Sequence, residues 1–453
     1  MVGMQISISH ELEHLNLPDQ RLNRRAQLIA ESIDKGVNES LPTACPDWSE
    51  LIGAYRFFGN ERVNTEDLRK PHVDRTIERT KGCAIVRCIE DTTVFDFGRH
   101  QSTQGLGPIT KDYQHGFLSH MMIACDGRDR CLGLLRQESW ARTEGLGKRA
   151  QRKSKPIEDK ESFRWLEGYR RVEELAQRYP DRQWVYVADR EADIYELYYE
   201  SKDAHYVIRS RTDRNAVEGG TMLAKVSECE SLGQWEIDAP ARLKRAGRKI
   251  TVSAKAHRLL LNAPWRPSSQ RFTHPSEATV VLVEEVDPPE NTEPVCWVLL
   301  TSLPVENVEQ AREVVGHYQC RWQIEIFFRT LKSGCNYEKL QLQSFDKLRL
   351  ALVIYSLIAW RIVALTQAAK VKPDASCEEV LVTEEWHAIH MLQGKPLTKQ
   401  APKIGEAVIE LARLGGYLNR KNDPPPGPTA IWRGLRLISP VVLLLKEGKI
   451  KCV

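Results

Sequence analysis

Two short apolar runs, each closing on an aspartate, constrain this chain more than any other feature. Residues 83–90 are rich in Ile, Val and Cys and are followed by Asp91; residues 184–188 are equally apolar and are followed by Asp189. Runs this short suit buried strands, so each is expected to be a strand that stops at its acid. Between them, 117–125 and 131–138 read as two strands joined by the Asp126-Gly127 turn, and 160–179 as a helix ended by Pro180. Strands, a hairpin, a helix and a further strand describe an α/β core with a mixed sheet.

The rest of the chain is organised around that core. From 203 to 304 the pattern is mostly β, with strands expected at 205–211, 234–238, 249–256, 278–286 and 295–301, so this block reads as a β insertion ahead of a helix at 306–333. Asp19 precedes a helical stripe of Leu22, Ala26, Ile29 and Ile33, and a second helix after Pro46 carries Trp48, Leu51, Tyr55 and Phe58. The expected domains are a helical one at 1–63, a catalytic core at 64–370 and a helical one at 371–453, the last with a Pro-rich loop at 423–428. The stretch 350–360, between Arg349 and Arg361, is too short to span a bilayer and reads as a buried helix. The first eight residues are too short and polar for a secretory signal, so a soluble cytoplasmic protein without a membrane partner is expected. Its eleven cysteines lack the short repeated spacing of a zinc site and fit reduced thiols. A formal charge of +4 neither demands nor excludes nucleic acid, which leaves the question to where the cations cluster.

They cluster on one helix. Projected at roughly 100° per residue, Tyr318, Arg321, Glu325, Arg329 and Lys332 share about an 80° arc, while Cys320, Ile324, Phe327 and Leu331 face a core. An exposed salt-bridged face is one reading, since Arg321–Glu325 and Glu325–Arg329 are four apart. Three cations around a single carboxylate exceed what pairing needs, however. Surplus cations suit phosphates, with the acid reserved for a metal.

The two strand-end aspartates follow the same logic. A carboxylate closing a buried strand is costly unless it serves something at the sheet's edge, which is where ligands collect in open α/β sheets. For either one alone, a turn or helix cap is the plainer alternative. Three acids from distant positions can together supply the oxygens that two divalent ions about 3.5–4 Å apart require.

At this point the residues resemble a known family. Glu90-Asp91-Thr92-Thr93, then Ala188-Asp189-Arg190-Glu191-Ala192-Asp193-Ile194-Tyr195, then the spacing Tyr318, Arg321, Glu325, Lys332 look like the Tn-five-type transposases of the IS-four family. Further similarities lie at 53–57, 207–210 and 297–301, so the resemblance runs along nearly the whole chain. It implies a ribonuclease-H-like core in which Asp91, Asp189 and Glu325 bind metal, with two Mg2+ ions per site and Mn2+ able to substitute. Tyr318, Arg321 and Lys332 would contact phosphates, with Arg329 on the same stripe. Trp297 would stabilise a flipped base, worth about 1–3 kcal/mol by stacking, and Arg209 would touch the end DNA. The N-terminal helices, with Arg24, Arg25 and Arg56 as candidate contacts, would bind double-stranded transposon ends, and the C-terminal helices would hold a homodimer that also engages target DNA. Without the family, a core tryptophan is the better reading of Trp297. A nuclease of the same fold, or a DNA-binding protein that has lost transposition, stays open as an alternative, though the intact acids argue against the second.

Two basic runs, Lys148–Lys155 and Arg242–Lys249, suit backbone contacts to DNA. Glu90 should face away from Asp91 if the strand persists, and Asp193 is expected to support Asp189 rather than act itself. His317 reads as structural, and His387 with His390 lacks a partner for zinc.

Overall fold

Strand pairing begins where the apolar runs place it. In the computed structural model, which describes residues 6–37, 39–98, 100, 102–109, 114–143, 156–239, 247–264, 272, 274–421 and 423–450, there are ten strands. In chain order these are β1 Ile85–Asp96, β2 Gly107–Pro108, β3 His115–Asp126, β4 Cys131–Trp140, β5 Gln183–Ala188, β6 His205–Arg209, β7 Gly233–Ala239, β8 Arg248–Leu261, β9 Ser276–Glu285 and β10 Cys296–Thr301. The chain divides into two compact units. One comprises 1–82, 92–145 and 323–453, and the other 83–91 and 146–322. The runs at 148–155 and 242–246 lie outside the described residues.

The second unit is a mixed sheet in the order β1-β5-β6-β10-β9-β8-β7. β1, β5 and β6 are parallel, and β6, β10, β9, β8 and β7 continue antiparallel. Among the described residues, the strands of the block at 203–304 therefore extend the core sheet edge to edge. The reason is that β10 has partners on both sides, β6 through Leu299↔Arg209 and β9 through Trp297↔Val283. Cys88, Ile89, Val185 and Val187 are fully buried, as strands covered on both faces require. The helix Phe163–Arg178 lays Leu166, Tyr169, Val172 and Leu175 against this sheet.

β1 departs from the expected pattern. It does not stop at Asp91 but runs on to Asp96. Thr92, Thr93, Val94 and Phe95 are β-branched or aromatic, so the chain has every local reason to stay extended. The division between units falls within this one strand, after Asp91.

In the first unit, the later part of β1 runs beside β3, with the Phe97 amide donating to the His115 carbonyl at 2.9 Å. β3 pairs antiparallel with β2 and β4. The N-terminal helices are Gln20–Lys35, capped by Asp19 through the Arg21 amide, and Trp48–Phe58, capped by Asp47 through the Glu50 amide. Leu51, Ala54, Phe57 and Phe58 form the buried stripe of the second. Trp48, expected on that stripe, is 74% exposed, because as the first residue after the cap it precedes the turn that meets the core. The C-terminal helices are Phe345–Val371, Thr383–Leu392, Ile404–Leu414 and Pro428–Lys446. The first of these is 27 residues long, and both it and the last are long and apolar enough to cross a membrane by length and composition. Of its most apolar window 94% is buried within the unit.

Two buried ionic nodes tie this unit together. Glu11 accepts from the His72 ring and from Arg79, while the other His72 nitrogen accepts the Leu134 amide at 3.0 Å. Arg361, in the centre of the 27-residue helix, donates to both Asp34 and Glu385. Every member has a charged partner, which is the condition for burying charge at all.

Candidate active site

The β1–β5 register runs up to Ile89↔Val187, two residues short of each aspartate. Ile85 lies opposite Gln183 and Ile89 opposite Val187, and the same offset carried two residues further sets Asp91 opposite Asp189. Neighbouring strands lie about 4.8 Å apart, and residues sharing a register position in parallel strands leave the sheet on the same face. Glu90, one residue earlier, points the other way. It is fully buried, takes the Tyr186 hydroxyl at 2.7 Å, and leaves no room for a Cβ on Gly168. Asp91 and Asp189 are only part-buried, at the solvent end of this arrangement. Asp189 also caps the short turn Arg190–Ala192 by accepting the Glu191 amide at 2.8 Å.

A guanidinium sits against the first aspartate. Arg321 donates to Asp91 at 2.8 Å, and both side chains are about 15% exposed, at 15% and 14%. Arg321 ends the helix Val308–Cys320, which the structure separates from the helix Trp322–Arg329. The single helix expected at 306–333 is thus segmented. One turn before Arg321, His317 is fully buried and accepts from Arg87 at 2.9 Å. Burial, then the Arg87 and His205 charges, push its pKa down to about 3, so it is a neutral acceptor. That agrees with a structural role.

Tyr318 and Trp297 touch. Their rings meet edge to face at 5.4 Å, with Tyr318 8% and Trp297 6% exposed. Trp297 forms part of the wall of a cavity of about 220 Å³ that is also lined by Arg190, Arg209, Ser210 and Cys296. Arg209 donates to the Cys296 carbonyl at 3.2 Å, which holds its guanidinium at the rim. Two arginines and an indole therefore surround one concave space, a composition suited to an anionic, aromatic ligand.

In the other unit, the helix Trp322–Arg329 carries Glu325, which is part-buried, and Arg329, which is exposed, over a core of Ile324, Phe327 and Phe328. It passes into a π-helical turn at Thr330–Gly334, a wider turn often found at functional sites, and this takes Lys332 off the phase that an unbroken α-helix gives it. Lys332 donates to the Val94 carbonyl and lies 5.4 Å from the Phe95 ring. Burial lowers its pKa, and Glu338 and Glu325 pull the other way. Of the N-terminal arginines, Arg24 and Arg56 are exposed, whereas Arg25 is paired with Glu50.

These donors test whether a metal fits. Two carboxylates on one face of adjacent strands offer hard oxygen ligands, the chemistry that Mg2+ takes. Among the described residues no group of three or more His, Cys, Asp or Glu side chains is arranged to hold an ion. Reasoning from sequence missed Arg87, which lies inside a run that reads as apolar and donates to His317. Asp193, expected to support Asp189, is a busier anchor than its spacing suggests.

Three family models match the chain. Transposase DNA-binding covers residues 4–63, Transposase DDE domain covers 167–361, and Transposase Tn5 dimerisation domain covers 357–448. The DDE match contains Asp189 and Glu325 and begins after Asp91. An α/β core with a mixed sheet, a helical DNA-binding segment before it and a helical dimerisation segment after it agree with these matches in kind and order. The chain belongs to the Tn5-type DDE transposases.

Proposed function

We propose that this transposase excises and inserts DNA by a cut-and-paste route, using Asp91, Asp189 and Glu325 as its metal-binding carboxylates. The observation that supports the reading is the β1–β5 register, which, extended two residues past Ile89↔Val187, would set Asp91 opposite Asp189 on one face of the sheet. Glu325 joins them on the strength of its spacing from Tyr318, Arg321 and Lys332. Two Mg2+ ions, for which Mn2+ can substitute, would supply the Lewis acidity that activates an attacking oxygen and stabilises a leaving 3′ oxygen.

The protein's own groups do the rest. Arg321, held beside Asp91, and Arg329 and Lys332 grip phosphates of the strand being cut. Water opens the first phosphodiester and leaves a 3′-OH. That hydroxyl attacks the opposite strand to close a hairpin, water reopens it, and the same 3′-OH then attacks target DNA. Trp297, walling the cavity with Arg209, offers a face for the base extruded at the hairpin step. Arg24, Arg25 and Arg56 in the module at 1–63 contact the transposon end, the core at 64–370 (with its β block at 203–304) performs the chemistry, and the helices of 371–453 pair two copies in the synaptic complex. Exposed Leu437 and Leu444 on the helix Pro428–Lys446 suit that pairing. The setting is the cytoplasm of a prokaryote.

Paired transposon-end DNA incubated with the protein and Mg2+ should yield nicked, hairpin and joined products in succession. Equal cleavage by Asp189→Ala would remove the basis of this reading.

A further inference from the structure

Asp193 gathers more hydrogen bonds than any turn needs. Its side chain is fully buried. Oδ2 accepts the Arg211 amide at 2.7 Å, the Thr212 amide at 2.9 Å and the Ser210 hydroxyl at 3.2 Å. Oδ1 accepts the Tyr198 hydroxyl at 2.8 Å and the Arg214 guanidinium. Arg214 also donates to the Asp193 carbonyl at 3.0 Å and lies over the Tyr198 ring. The segment 210–214 is thus wrapped around one carboxylate.

The two ends of this wrapping matter. Asp193 closes the short turn that Asp189 opens, so only three residues of chain separate the anchor from the proposed metal ligand. At the other end, Ser210 follows Arg209, the Ser210 amide donates to the Val298 carbonyl at 2.7 Å, and both residues line the cavity beside Trp297. One buried charge therefore fixes the cavity wall to the strand end that carries Asp189.

We propose that Asp193 is a positioning residue that sets which phosphodiester is cut, by holding Arg209–Thr212 in fixed register with Asp189. The proposal rests on the function argued above. DNA gripped at Arg209 and Ser210 would reach the metal-binding aspartate at a distance defined by this carboxylate. Loosening it lets the strand slide, while Asp189 itself stays intact.

Asp193→Asn tests this with little change of shape. Each carboxylate oxygen is faced only by donors, so either orientation of the amide sets an NH2 against another donor. End-labelled transposon-end DNA with Mg2+ would be resolved at single-nucleotide resolution, alongside end affinity by gel shift. The expected result is a nick spread over neighbouring phosphodiesters and a turnover rate lower by about tenfold, with end affinity held within about threefold. A slower nick at the parental position alone would mean that Asp193 only stabilises the fold, and would overturn the proposal. So would parental rate and position together. Should Asp193→Asn fail to fold, Ser210→Ala removes a single donor and carries the same test, with the same blurring expected and an unblurred nick overturning it. Asp189→Ala keeps the two readings apart. If it is inactive while Asp193→Asn behaves as the parent, only the positioning proposal falls, and if it cleaves normally, the metal-ligand reading falls first.

Discussion

Arg321 and Asp91, 230 residues apart in sequence, form an ion pair at 2.8 Å in which a guanidinium neutralises a carboxylate proposed to bind metal. The pair has a consequence for the metal. A divalent ion arriving at Asp91 must compete with a cation already there. Arg321→Ala should therefore bind Mn2+ more tightly, by about fivefold at most given the part exposure of the pair, yet cleave DNA more slowly for want of a phosphate contact. Titration of Mn2+ by electron paramagnetic resonance, set beside a cleavage time course, checks both halves. Weaker Mn2+ binding in the variant would mean that the pair supports the ligand geometry and does not compete with it.

His317 gives the protein an acid sensitivity whose sign is fixed. Its pKa falls from the ordinary 6.5 to about 3 because burial, Arg87 and His205 oppose its charge. Above pH 6.5 it is neutral whether the chain is folded or not, and it contributes no pH dependence. Between pH 6.5 and about 3 the unfolded chain takes up a proton that the folded one refuses, so stability falls as pH falls, by up to about 1.4 kcal/mol per pH unit. Burial lowers the pKa of His72 against the pull of Glu11, which adds in the same direction. Thermal unfolding at pH 7, 6 and 5 should show a steep decline in the parent and a shallower one in His317→Gln, whose amide oxygen can still accept from Arg87. Identical slopes would remove His317 as the cause.

The node of Glu11, His72 and Arg79 should be costly to break. Glu11→Ala leaves a nine-tenths-buried arginine and a buried histidine without their shared acceptor, at an expected loss of about 3–5 kcal/mol in denaturant unfolding of the first unit. A loss under about 1 kcal/mol would mean that the node is solvated.

Trp297 is expected to separate hairpin formation from nicking. Trp297→Ala should leave the first nick within about threefold and slow the hairpin step by about tenfold or more, as removal of a stacked base contact predicts. Because the indole also packs on Tyr318, the variant should melt earlier, and Trp297→Phe should recover both properties in part. Equal slowing of both steps would assign the residue to packing alone.

Much of this was legible in the chain because its causes are local. Asp19 caps its helix as its position suggests, and the apolar runs before Asp91 and Asp189 are buried strands. Periodicity does not reveal that β1 continues through Thr92–Phe95, although those residues favour it, because a lone acid after an apolar run reads as a strand end. The π turn after Arg329 leaves no mark in the apolar pattern, since Leu331 is buried in either phase. The hardest features to read are the distant ones. The donors to Asp193 lie between 5 and 21 residues downstream, and Arg321 finds Asp91 across most of the chain. Spacing can nominate such residues, but only the folded chain brings them together.

Iron-directed chain cleavage addresses the metal-binding acids most directly. Fe2+ substituted for Mg2+, with ascorbate and peroxide, generates radicals that cut the backbone beside the bound ion. Fragments ending near Asp91, Asp189 and Glu325, suppressed by excess Mg2+ and absent in Asp189→Asn, are the expected result. Cuts that avoid Asp91 and Asp189, or that persist unchanged in Asp189→Asn, would contradict the assignment of these carboxylates to the metal.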